Sequence, residues 1–265
     1  VAASGEERSS RWAIEGSDGL MASVVDSGRG VPFVFLHGLV GLNEHWEDVA
    51  ARAREKVRCV RFELPLLRLR GEHCSIHGAT ALTERFVREY VGAPVVLVGN
   101  SFGGHVATRL AIEHPEMVRG LVLAGASGIL EKSMVSDIQI RPSKDWLRRK
   151  IGELFFDQAH MREADLDRAH KELSDRGGAR AMIKLSRSAR KDHLGDRMRN
   201  IRVPTLLVWG KQDVVTPPEA AVGFNKAIPS SRLVWFDNCG HVPMVEKPEE
   251  FAGLMLEFAA GLEKK

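Results

Sequence analysis

The chain has 265 residues, 44% of them hydrophobic and 28% charged, which is enough apolar material for a buried core and too even a mixture for a disordered chain. Its net charge of +3 arises from 38 basic residues scattered among 35 acidic ones, so no nucleic-acid partner is expected. No stretch approaches the roughly 18 apolar residues that span a bilayer, so no membrane partner is expected either.

Cys59, Cys74 and Cys239 are far apart and odd in number, which points to a reducing compartment rather than a disulfide framework. Residues 1–11 are small and polar with no apolar run, and the expected location is cytoplasmic.

In chain order, residues 12–14 and 20–25 flank Gly16-Ser17-Asp18-Gly19 and predict an antiparallel hairpin. Strand-length apolar runs follow at 31–36, 57–62, 95–99, 118–124, 205–210 and 232–236, each bounded by Gly, Pro or charge. Helical patterns fall between them at 43–55, 80–90, 103–114, 217–227 and 248–262. The alternation predicts an α/β fold, a mostly parallel twisted sheet with helices on both faces. Thr216-Pro217-Pro218-Glu219 predicts a helix start with Thr216 as its capping hydroxyl.

Between residues 129 and 199 the alternation stops and the chain becomes charged and helical. Leu147, Ile151, Leu154 and Phe155 form one apolar stripe, and further helices are expected at about 163–173 and 179–190. This segment predicts a helical cap inserted after the sixth strand, over the carboxyl edge where open α/β sheets bind ligands. The expected division is a core of residues 1–128 and 199–265 and a cap of residues 129–198. The stripe reads first as packing against the core and second as the wall of a substrate pocket.

The sharpest chemical signal is Gly99-Asn100-Ser101-Phe102-Gly103, which follows a buried strand and opens a helix. Glycines at both ends of G-x-S-x-G permit a tight, strained turn that exposes the serine hydroxyl. A serine needs a neutral imidazole to take its proton, and the imidazole needs a carboxylate to fix its tautomer. Asp213 lies just past a strand, and His241 sits in a Gly-containing loop after the last one. Asp237 could substitute as the acid, although its position suits a simple turn. His73, Cys74 and His77 lack a fourth ligand nearby, so no metal and no cofactor is expected. His105 and Cys239 read as packed side chains.

From about residue 28 to residue 258 the sequence resembles the α/β-hydrolase superfamily. His37-Gly38 resembles that family's oxyanion loop, Trp209-Gly210-Lys211-Gln212-Asp213 its acid-bearing strand end, and Cys239-Gly240-His241 with Glu246 and Pro248 its histidine loop. The resemblance implies Ser101 as nucleophile, His241 as base, Asp213 as its orienting acid, and the backbone N–H groups of Leu39 and Phe102 as oxyanion donors. One stretch departs from the family pattern. Where many relatives carry Asp-x-Pro-Gly-x-Gly-x-Ser, this chain reads Glu63-Leu64-Pro65-Leu66-Leu67-Arg68-Leu69-Arg70-Gly71.

The expected reaction is hydrolysis of a small carboxylic ester through an acyl-enzyme. A carbon–carbon hydrolase of vinylogous diketones is the rival, because Gly99-Asn100-Ser101-Phe102-Gly103-Gly104, Cys239-Gly240-His241 and Phe155-Phe156-Asp157 resemble meta-cleavage-product hydrolases. Against it stand Val242, where those enzymes carry tryptophan, and the lack of a cap arginine in register, Arg168 being nearest. A ligand receptor on the same fold is a third reading. The partner is thus a small-molecule ester or ketone, and assembly into a homo-oligomer is left open.

Overall fold

The computed structural model describes residues 6–131 and 142–262. Eight strands form one sheet: β1 (Arg8–Ala13), β2 (Met21–Ser27), β3 (Pro32–Leu36), β4 (Arg58–Glu63), β5 (Val95–Asn100), β6 (Val118–Ala124), β7 (Thr205–Gly210) and β8 (Ser231–Phe236). Their spatial order is β1-β2-β4-β3-β5-β6-β7-β8. The pairs β1–β2 and β2–β4 are antiparallel and all others are parallel. The predicted hairpin is therefore present, with longer arms than the apolar pattern marked.

The parallel strands are buried on both faces and split their side chains between two cores with period two. Phe33 and Phe35 of β3 join Val96 and Val98 of β5 on one face, against α1 (Glu47–Ala53) and α8 (Pro248–Leu262). Val34, Leu36 and Leu97 point the other way, toward α2 (Ile76–Phe86), α3 (Phe102–Glu113) and α7 (Pro218–Ala227). Helix ends shift from the expected ones for local reasons. The helix expected at 43–55 begins as a 3-10 turn, Asn43–Trp46, before α1. The helix expected at 80–90 starts earlier, because Ser75 accepts the Gly78 N–H as an N-cap, and ends in a π-helical turn, Val87–Val91.

Among the described residues, three α-helices lie between β6 and β7: α4 (Lys144–Gly152), α5 (Glu163–Ser174) and α6 (Arg176–Lys191). Leu147, Leu166 and Leu173 pack with Leu67 from the β4–α2 loop, giving this insert a small core of its own. The expected cap boundary also takes in residues 132–141, which lie outside the described ones.

Strand order places the site. The chain leaves β3 for β4 on one side and returns to β5 on the other, so the β3 and β5 ends are neighbours, with Leu36 opposite Gly99. That reversal leaves a crevice at the carboxyl edge. Asn100 lies opposite Ala124, which brings the end of β6 alongside as well.

Behind the strand-to-helix elbow at Ser101, α3 is tied to the end of the insert by buried charge. His105, fully buried, has Nε2 at 3.0 Å from Asp192 Oδ2, and Arg109 Nη1 donates to the same oxygen at 2.6 Å. Burial works to raise the Asp192 pKa, but hydrogen bonds from His105 and Arg109 outweigh it and hold the carboxyl well below its usual range. Burial also lowers the pKa values of His105 and His37, so each takes up its proton at lower pH in the fold than in the unfolded chain. Acid then favours the unfolded chain, whose histidines take up protons below their ordinary pKa of about 6.5, sooner than the buried ones do. The melting temperature should therefore fall as pH is lowered from about 7.5 to about 5, and His105→Gln should make that fall shallower. A scan of melting temperature against pH for both proteins checks this; equal slopes would remove His105 as a source.

Candidate functional site

Ser101 stands between β5 and α3 with φ 53° and ψ −119°, a conformation costly for a residue with a Cβ. Close backbone approach makes the turn possible. A Cβ on Gly99 would lie 2.5 Å from the Gly103 carbonyl oxygen, and one on Gly103 would lie 2.4 Å from that of Leu36. The strained residue is held on both sides. Ser101 N–H donates to the Ala124 carbonyl at 3.1 Å, and its own carbonyl accepts from the N–H groups of His105 and Ser127, each at 3.1 Å.

Asp213 follows β7, and its two carboxylate oxygens have separate tasks. Oδ1 accepts the N–H groups of Val215 and Thr216, both at 2.9 Å. Oδ2 accepts His241 Nδ1–H at 2.9 Å. The bond puts the proton of a neutral imidazole on Nδ1 and leaves Nε2 with a free lone pair. Thr216 Oγ1 stands 2.8 Å from Asp213 Oδ2 and 3.0 Å from the Gly125 carbonyl, in reach to donate to either. The structure thus corrects the expected capping role. The N-cap position of α7 is Pro217 with no side-chain cap, and the Thr216 hydroxyl is used by the Asp213–His241 pair instead.

Gly125 is a further contributor with no motif to announce it. Its φ is +49°, and a Cβ there would meet His241 Nδ1 at 2.9 Å and Asp213 Oδ2 at 3.0 Å. Asn100 Nδ2 donates to the carbonyls of Ala124 and His241, each at 3.0 Å, linking the elbow to the histidine loop. Glu246 completes the loop's support. Oε1 accepts Gly240 N–H at 2.7 Å, while Oε2 accepts the N–H groups of Phe156 at 2.8 Å and Asp157 at 3.1 Å. His241 N–H donates to the Leu154 carbonyl at 2.7 Å, so the histidine loop leans directly on the insert.

Ser101 and His241 line one cavity of about 160 Å³, together with Gly38 and Leu39 from the loop after β3. Among the described residues no hydrogen bond joins Ser101 to the imidazole, a contact that is often loose before substrate binds. A Cβ on Gly38 would lie 3.3 Å from Ser101 Cβ, so the β3 loop passes directly beside the serine. The amides of Leu39 and Phe102 donate to no other group among the described residues, and Phe102 opens α3, where the first N–H groups have no helical partner.

Leu147, Ile151, Leu154 and Phe155 all line this cavity. The stripe packs, as its first reading had it, and it also lines the cavity. Leu147 also packs in the insert's own core, and Leu154 and Phe155 pack against the sheet core, so the same side chains do both. Charged groups interrupt the apolar wall at His45, Asp165, Glu131, Lys150 and Arg190. Burial pushes the Glu131 carboxyl above its usual range.

A family model described as the alpha/beta hydrolase family matches residues 33–254. This chain belongs to that family. Among curated relatives, 2-hydroxymuconate semialdehyde hydrolase of Pseudomonas putida is 33% identical over 174 residues, a match spanning 62% of either chain. The enzyme of the same name from Pseudomonas sp. strain CF600 is 29% identical over 91% of each chain. Pimeloyl-[acyl-carrier protein] methyl ester esterase of Nitrosomonas europaea is 26% identical over 85% of this chain and 94% of its own. Among solved structures, an alpha/beta hydrolase from the metagenome of Mar Chica lagoon sediments, Morocco, superposes with a TM-score of 0.74 at 29% identity, covering 91% of this chain and 96% of the other.

The remaining candidates in this hydrolase fall elsewhere. Asp237 is exposed and bonds Lys211 at 2.6 Å, so Asp213 alone reaches the histidine. His73 Nε2 is 3.0 Å from the Glu15 carbonyl, and Cys74 is buried against Ala181. All three cysteines are free and buried; burial pushes the Cys59 thiol up to about 12 and that of Cys239 higher still. No described helix is long and apolar enough to cross a membrane.

Gly125→Ala should leave this hydrolase folded with a lower melting temperature and cut its turnover about a hundredfold, because the added methyl displaces the His241–Asp213 pair. Turnover and melting temperature of the purified variant check it. Wild-type turnover would show that the close approach is unimportant.

Proposed function

We propose that this hydrolase cleaves small carboxylic esters through an acyl-enzyme, with Ser101 as nucleophile, His241 as general base and Asp213 as the acid that orients it. The observation that carries the reading is the convergence of Ser101, the unpartnered amide of Leu39 and the His241 ring, bonded to Asp213 behind it, on one largely apolar cavity, with the Phe102 amide next to Ser101 at the start of α3. Ser101 Oγ attacks the ester carbonyl as His241 Nε2 takes its proton. The N–H groups of Leu39 and Phe102 receive the negative charge on the carbonyl oxygen, each such donor being worth about 10²–10³ in rate. His241 then protonates the departing alcohol, and water, deprotonated by the same imidazole, releases the acid. Helices α4–α6 act as the cap, and their inner faces select the acyl group.

The ester reading gains support from Arg168. Its Nη2 donates to Glu63 at 2.7 Å and its Nε to Glu172 at 3.2 Å, and it stands outside the cavity wall. The arginine nearest to the one expected of a carbon–carbon hydrolase is therefore committed to a core carboxylate. Val242 lines the cavity where tryptophan would stand. A second reading, carbon–carbon bond hydrolysis, is favoured by the names of the Pseudomonas relatives and by Lys150 and Arg190 on the cavity wall, which suit an anionic substrate.

Ser101→Ala and His241→Ala should each abolish nearly all turnover of a chromogenic ester without unfolding the protein, and the double variant should lose little more. Assaying esters beside a vinylogous diketone separates the two readings: faster turnover of the diketone by wild type would overturn the ester assignment.

Leu154→Ala and Phe155→Ala should alter the ranking of acetyl, butyryl and octanoyl esters, by about 1–3 kcal/mol per methylene-sized change in the pocket. Relative kcat/KM on the three esters checks this. A lower melting temperature with an unchanged ranking would return these side chains to packing alone.

A further inference from the structure

Glu63 closes β4 and is almost fully buried, yet no step above uses it. Its two oxygens face different parts of the molecule. Oε2 accepts the Asn43 N–H at 2.8 Å, and Oε1 accepts Arg168 Nη2 at 2.7 Å from α5. Asn43 ends the loop that carries Gly38 and Leu39. At the other end of that loop, the His37 ring places Nδ1 at 2.6 Å from the Gly38 carbonyl and Nε2 at 3.2 Å from the Leu64 carbonyl. Both ends of the span 37–43 are thus fastened to residues 63–64.

Within the span, Gly41 N–H donates to the Gly38 carbonyl at 3.0 Å, and a Cβ on Gly41 would lie 2.8 Å from Gly38 N. A turn this tight has little slack, so its position follows its two fastenings. The electrostatics point the same way. An unpaired carboxylate buried behind the loop would repel the negative charge that develops on the substrate oxygen. The Arg168 guanidinium compensates that charge through a charge-assisted hydrogen bond. Burial works to raise the Glu63 pKa, but His37, the Asn43 N–H and Arg168 outweigh it and keep the carboxyl below its usual range.

We propose that Glu63 and Arg168 form a positioning pair that sets the Leu39 N–H for the oxyanion and makes its placement depend on the seating of the cap. The proposal rests on the reading of Ser101 as nucleophile and Leu39 as donor. It gives Arg168 a part in catalysis without contact with substrate.

The test uses the full chain with Arg168→Gln, Arg168→Lys, Glu63→Gln and the double Glu63→Gln/Arg168→Gln. The Arg168 side chain is 38% exposed, so its replacement leaves the cores intact. Two readouts are taken on each folded variant: kcat and KM on one chromogenic ester, and the rate at which a fluorophosphonate modifies Ser101. Arg168→Gln and Glu63→Gln should each lower kcat and the modification rate about tenfold to a hundredfold, with KM changed little, because a misplaced oxyanion donor weakens the transition state alone. Arg168→Lys should recover much of the loss, and the double variant should be no worse than the poorer single one. A rise in KM at unchanged kcat and modification rate would overturn the proposal, reducing the pair to a fastening of the cap. Single effects that multiply in the double variant would also overturn it. Wild type that the fluorophosphonate leaves unmodified at Ser101 would instead defeat the nucleophile reading, and this proposal with it.

Discussion

The whole site depends on one backbone constraint, the left-handed turn at Ser101. A non-glycine residue held at φ 53° is unfavourable in isolation, and it persists only where its surroundings leave no alternative. Here the surroundings are backbone against backbone. Gly99 and Gly103 allow the strand end and the helix start to touch, and Ala124 and Ser127 from the neighbouring strand end hold the amide and carbonyl of the serine. The same crowding removes the side chain from Gly125, because the His241–Asp213 pair occupies the space a methyl would need. The sheet's strand order therefore does more than bury apolar residues. It brings the loops after β3, β5, β6, β7 and β8 together at spacings that only small residues tolerate.

Around that rigid centre, the less rigid parts are held by carboxylates that each serve two elements. Glu246 gathers amides from the histidine loop and from residues 156–157 of the insert. Glu63 joins the loop after β3 to α5. Asp192 joins the end of the insert to α3, the helix that follows Ser101, through His105 and Arg109. A buried carboxylate that accepts several N–H groups is stabilised as an anion, and removing a partner leaves a desolvated charge. Each is therefore a point where disturbance of the insert reaches the site.

The fold class and the three polar side chains were legible because they are local. A buried strand running into Gly99-Asn100-Ser101-Phe102-Gly103 states its own turn, and Asp213 and His241 stand just beyond recognisable strands. The supporting contacts were not legible, because the two partners of each lie far apart along the chain. Glu63 and Arg168 are 105 positions apart, and Glu246 and Phe156 are 90 apart. Thr216 was misread for the opposite reason. Its local pattern, a hydroxyl before two prolines, fits a helix cap well, and only the fold brings Asp213 and His241 within its reach. The stripe from Leu147 to Phe155 was ambiguous in principle, since a pocket wall and a packing face have the same period.

The shared anchors bear on how such a hydrolase can change its substrate. An insert that rested on the core only through apolar contact could be exchanged whole for another. This one cannot, because the replacement would need a donor for Glu63, two free amides for Glu246 and a carbonyl for the His241 N–H. Divergence is confined to the inward faces, where Leu147, Ile151, Leu154 and Phe155 can vary in size while the footings stay. Lineages built on this arrangement should accordingly alter their pocket walls one side chain at a time and inherit the footings unchanged.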